Sequence, residues 1–154
     1  MYKFLNHFTF SGFNISHGRL HTFLTSQFTH MSFLSYLLDT VIVYLFCYNL
    51  TMMFGPLYVL KVSLLSMFFA SFLLFVQHSS QRTRPFFGND AILRGLIFTV
   101  IFQNPQASFY LIPLPIQIPA WGIAAFMLAV DFFTFNVAGF GGVTASYIML
   151  NYLI

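Results

Sequence analysis

The chain has 154 residues, 58% of them hydrophobic and 6% charged, with a formal net charge of +3 and a mean hydropathy of +0.81. An ordinary soluble domain is about 25% charged, so six basic and three acidic residues cannot solvate a free-standing globule of this size. Helices in lipid satisfy their own backbone groups and need no charged coat, so the composition implies a membrane protein. The basic residues are scattered, which excludes a nucleic-acid footprint. Cys47 is the sole cysteine, so no intrachain disulfide can form, and the five histidines show no metal-ligand spacing. No haem, nucleotide or other cofactor site is expected. The 23 phenylalanines fit an AT-rich genome, where apolar positions drift toward Phe codons.

Residues 1–18 read as an arm. Phe4, Phe8, Phe10 and Phe13 alternate there with polar residues, as in a segment lying in the membrane interface or on a partner. It has no compact apolar run with a small-residue cleavage site, so it is not a secretory signal. Lys3 and Arg19 are the only basic residues in the first 29, which makes a poor mitochondrial presequence.

Residues 19–154 read as one membrane domain of about five helices. The first apolar stretch, Phe33 to Phe54, is long enough to span a bilayer. It contains one acid, Asp39, and ends at the break Gly55-Pro56. The second runs from Leu57 to Val76, with Lys61 placed to snorkel. A polar loop follows over Gln77 to Asn89. Its Arg82 and Arg84 are candidates for contact with lipid head groups or a partner's acids, or for simple solvation. A short third helix is expected over Asp90 to Phe102, closed by Asn104-Pro105. Pro105, Pro113, Pro115 and Pro119 then mark a loop, with Pro119 suited to the first turn of the next helix. That helix is expected over Ala120 to Phe133, with Trp121 as an interfacial anchor and Asp131 at the interface near its end. The last is expected over Asn136 to Ile154. It opens on Ala138, Gly139, Gly141, Gly142, Ala145 and Ser146, residues small enough to let helices approach closely.

Four stretches carry a family resemblance in order. Thr22-Phe23-Leu24-Thr25-Ser26-Gln27-Phe28-Thr29-His30 is a Thr/Ser-rich lead to a histidine, followed at the spacings of a second histidine and an asparagine by Ser35 and Asp39. Gly88-Asn89-Asp90-Ala91 stands where a Gly-x-Ser-x motif would open the short central helix. Gln103-Asn104-Pro105 and Ile112-Pro113-Leu114-Pro115 follow it. Ala138-Gly139-Phe140-Gly141-Gly142 parallels an Ala-His-x-Gly-Gly pattern. The chain thus resembles the rhomboid intramembrane proteases, most closely the mitochondrial presenilin-associated subgroup, over about Arg19 to Tyr152.

The resemblance implies an all-α, rhomboid-like helical bundle in which the family's first core helix has no counterpart. It also implies a lost activity. Rhomboid proteolysis uses a serine activated by a histidine, with polar donors stabilising the oxyanion. Here those positions hold Asp90, Gly139, Ser35 and Asp39. A glycine cannot act as a base, and a carboxylate repels an oxyanion. Asp39 and Asp90 could be neighbours, but an aspartyl dyad needs two carboxylates sharing a proton. Arg94 lies four residues after Asp90 in the favourable acid-before-base order, so an Asp90–Arg94 structural ion pair is expected instead. A proton or ion relay through these charges is a lesser alternative. His30 is expected to hold loop structure. Gly139, Gly141, Gly142 and Ser146 are expected to pack helices.

The resulting expectation is a non-catalytic accessory subunit of a mitochondrial inner-membrane complex, either a respiratory complex or an ATP synthase. It would be multi-pass, with other membrane subunits and lipids as partners. The alternative is a derlin-like pseudoprotease that binds membrane clients or forms part of a translocase.

Overall fold

The computed structural model describes residues 7–19, 21–30, 32–80, 86, 88–111 and 116–152. Two short helices, α1 (Gly12–Ser16) and α2 (Thr22–Thr25), and a 3-10 turn (Ser26–Phe28) precede five longer helices. These are α3 (Phe33–Phe54), α4 (Pro56–Ser80), α5 (Asp90–Gln103), α6 (Ala120–Phe133) and α7 (Val137–Tyr152). The five stand in the order and nearly at the boundaries expected from sequence. Gly55 ends α3 in a left-handed conformation (φ 84°), where a side chain would be strained. Pro56 then starts α4, because a proline at the first helical position gives up an amide that has no partner anyway.

The proline-rich connection was expected to be a loop. It holds a two-stranded antiparallel hairpin, β1 (Ser108–Leu111) with β2 (Ile116–Pro119), in which Ser108 pairs with Pro119. Pro119 closes the hairpin and sits just before α6, outside its first turn. A proline at a strand end costs no ladder hydrogen bond, so Pro119 is compatible with pairing; Pro113 and Pro115 lie outside the described residues.

Helix α5 is the centre of the bundle: nine of its 14 residues are buried. A helix that is apolar all round belongs inside a core. Helix α7 packs against both α5 and α4, and its glycines allow this. A methyl at Gly141 would strike the backbone of Ala70 on α4, and one at Gly142 the backbone of Ala91 and Gly95 on α5. The Ser146 hydroxyl donates to the Gly95 carbonyl across the same crossing (2.6 Å). On the other side of Gly95, the Ser66 hydroxyl of α4 occupies the space a methyl would need.

The arm folds back on the bundle from Phe10 onward. Phe10 is buried, pairs its backbone with Phe86 and meets the Phe23 ring edge-on at 5.0 Å. The 21–30 segment is tied down in turn. The Ser71 hydroxyl donates to the Phe23 carbonyl, and the Gly88 amide to the Ser26 carbonyl.

Helix α3 stands apart. Leu50 is its only buried residue, although the helix is mostly apolar. Phe33–Phe54 and Pro56–Gln77 are long and apolar enough to cross a membrane, and Ala120–Phe133 is a shorter apolar helix. The architecture is an all-α membrane fold.

Candidate functional site

Three helix ends meet at one end of the bundle: the start of α5, the end of α6 and the start of α7. Asp90 is the first residue of α5, where the helix dipole favours an acid. Helix α6 stops at Phe133, and the chain reverses through Phe135 in a left-handed turn (φ 52°). The Asn136 amide then donates to the Asp131 carbonyl (2.8 Å), while its side-chain oxygen accepts from the Gly139 amide at the head of α7 (3.4 Å). An asparagine at a helix start satisfies an otherwise orphan amide in this way.

The side chains form one connected cluster. Arg94 grips Asp131 with both arms of its fork, Nε to Oδ2 at 2.8 Å and one terminal nitrogen to Oδ1 at 2.9 Å. The Asn136 amide nitrogen bridges the two acids, donating to Asp90 Oδ2 at 3.0 Å and to Asp131 Oδ1 at 3.3 Å. Asp131 is 1% exposed. A bidentate arginine–carboxylate pair is among the strongest polar contacts a protein makes.

Two expectations are corrected. Arg94 was paired with Asp90, one turn away on the same helix; its hydrogen bonds go to Asp131 on the facing helix. Asp131 presents both oxygens to the fork, whereas Asp90 is turned to Asn136. Asp90 and Arg94 remain close enough for their charges to act on each other. Asp131 was placed at the interface and is buried in the protein instead.

Asp90 and Gly139, the positions the resemblance assigns to nucleophile and base, do come together here. A side chain at 139 has no room. Its first carbon would fall on the Asp131 carboxylate, 2.7 Å from Cγ and closer still to Oδ2. The carboxylate of α6 therefore stands where the first carbon of any side chain at 139 would go. Gly139 thus spares the Asp131 carboxylate, while Gly141 and Gly142 permit helix approach.

The other two assigned positions lie apart. Asp39 pairs with His30 (3.0 Å) across the entry to α3. Ser35 is exposed on α3. Arg82 and Arg84 lie outside the described residues. Among the described residues no group of three His, Cys, Asp or Glu could hold a metal ion.

Sequence reasoning missed the part played by Asn136 and Asp131. The signals existed: Asn136 precedes the small-residue helix as a cap would, and Asp131 is one of only three acids in the chain, of the kind that membrane helices keep facing inward.

Comparison with known proteins agrees with this framework. The Rhomboid domain model matches residues 17–153. RHOMBOID-like protein 12, mitochondrial, of Arabidopsis thaliana is 27% identical over 143 residues, covering 82% of this chain and 42% of that protein. The chain thus spans less than half the length of this relative. No solved structure matches. The helical bundle, the ordered motif remnants and a domain match over nearly the whole chain have one reading: the chain belongs to the rhomboid family.

Proposed function

We propose that the protein is a non-catalytic, multi-pass rhomboid-like subunit of a mitochondrial inner-membrane complex, a respiratory complex or an ATP synthase. The observation that carries the non-catalytic part is the Asp131 carboxylate at the place of the residue-139 side chain, held by Arg94. A serine protease needs a base there to take the nucleophile's proton. Here the neighbourhood holds two acids, one guanidinium and one carboxamide. An acyl-transfer oxyanion forming beside Asp90 would meet a carboxylate where it needs donors. The mitochondrial part follows the name of the Arabidopsis relative. The subunit part follows α3, an apolar helix with a single buried residue.

The test is native fractionation of mild-detergent membrane extracts, with mass spectrometry of the band that holds the chain. Comigration at fixed stoichiometry with one large assembly is expected. Recovery only as a free monomer would sink the proposal. Adducts with many transient membrane clients would favour the derlin-like alternative, for which the 14-residue α5 and α6 supply a motive. Helices of about 21 Å thin the surrounding bilayer.

A further inference from the structure

The chain between the arm and α3, residues 21–30, lies across the start of α5. Its 3-10 turn packs on α5, and the Gly88 amide, just ahead of that helix, donates to the Ser26 carbonyl (2.9 Å). The Ser71 hydroxyl of α4 donates to the Phe23 carbonyl (3.2 Å). The Thr25 and Thr29 hydroxyls donate to the His7 and Phe8 carbonyls of the arm. His30 ties the far end to α3 through Asp39.

The backbone of this segment is tied down, but its buried side chains are not. Ser26 and Gln27 are wholly buried and Asn89 is 9% exposed. Among the described residues, the Ser26 hydroxyl, both ends of the Gln27 carboxamide and the Asn89 side-chain oxygen have no hydrogen-bond partner. Turning the Gln27 amide over changes nothing, because its nitrogen and its oxygen are both orphaned. Folded proteins leave few buried polar groups in this condition. Each one costs free energy that a hydrated state recovers. The segment has little to set against that cost, since its helix has four residues and its turn three. Water is near. The segment joins the starts of α3 and α5, at the end of the bundle that also carries Asp90, Arg94 and Asp131.

We propose that residues 21–30 are a strap that lifts off the start of α5 and so controls access to the polar cluster behind it. With the strap down, the backbone bonds at Phe23 and Ser26 are made and four side-chain atoms go without partners. With the strap up, Ser26, Gln27 and Asn89 take hydrogen bonds from water, and Asn89 and Asp90 are uncovered. The two states are close in free energy because each satisfies groups that the other leaves bare. The strap does not depend on which assembly the chain joins.

The experiment is residue-resolved amide hydrogen exchange on the full-length protein in lipid nanodiscs. The Gly88 amide reports the seam, and the Leu96 amide reports the buried core of α5. Gly88 should exchange by local opening, faster than Leu96. Gln27→Met keeps an unbranched side chain and removes both orphaned groups. It should slow Gly88 exchange about tenfold and leave Leu96 unchanged. Should that variant fail to fold, Ser26→Ala should slow the same amide in the same way. Gly88 protection equal to that of Leu96 would overturn the proposal. So would Gly88 exchange that is unchanged or faster in a folded variant. Equal slowing of both amides would overturn it too, because the segment would then open only with the whole fold.

Discussion

The Arg94–Asp131 pair is the single contact on which the site depends. Asp131 is 1% exposed and the Arg94 side chain 16%, so removing one partner strands a charge. Such losses cost about 3–5 kcal/mol. Arg94→Met should therefore lower thermal stability in detergent sharply, and Asp131→Leu should do likewise. The double variant should lie well above the sum of the two, because the Asp131 charge goes with its partner and Asp90 keeps its hydrogen bond from Asn136. Additive losses would show that the pair does not hold the site. The glycine at 139 gives a second prediction. Asp90→Ser with Gly139→His restores the family's nucleophile and base on paper, yet the first carbon of the new side chain collides with the Asp131 carboxylate. The double variant should show no proteolysis of a model transmembrane substrate and should fold less well. Cleavage by it would refute the steric argument. Little of this was legible in the sequence. An acid and a base four apart on one helix are visible in a string of letters, and they suggested Asp90 with Arg94. The partner actually chosen is 37 positions away, and only the folded chain brings it near.

At the scale of elements, boundaries were easier to read than contacts. Gly55-Pro56 and Asn104-Pro105 break the chain by backbone chemistry that acts locally, so helix limits could be placed without knowing any neighbour. The hairpin Ser108–Leu111 with Ile116–Pro119 was hidden because pairing is non-local and the prolines argued against strands. The small residues of α7 pointed to close packing but not to two partners at once. That helix is wedged by Gly141 against Ala70 and by Gly142 against Ala91 and Gly95. Gly95 offers a clean test of the α4–α5–α7 contact. A methyl there collides with the Ser66 hydroxyl, while the Ser66 Cβ stands at 3.1 Å. Gly95→Ala alone should destabilise by about 1–3 kcal/mol, the usual cost of overpacking. Adding Ser66→Ala removes the colliding oxygen and should recover part of the loss. A double-mutant cycle showing no coupling would mean that the crossing is looser than its geometry implies.

For the molecule as a whole, the question is how helices of such different lengths share one membrane. Among the described residues, only α3 and α4 meet the length of a full span on their own. Helices α5 and α6 have 14 residues and α7 has 16, about 21–24 Å at the usual rise. Yet the cluster joins the start of α5, the end of α6 and the start of α7 by hydrogen bonds at 2.8–3.3 Å. These three ends must therefore lie on the same side. The other ends, near Asn104 and Asn151, then face the opposite side, and the short helices cross only if the bilayer thins around them or another subunit covers their ends. Five crossings would make a definite pattern. In a Cys47→Ser background, a cysteine at Thr134 should react with a membrane-impermeant maleimide from one side, and cysteines at Asn104 and Asn151 from the other. Thr134 and Asn104 reacting from the same side would break the five-span arrangement, because α6, with the hairpin before it, is all that separates them.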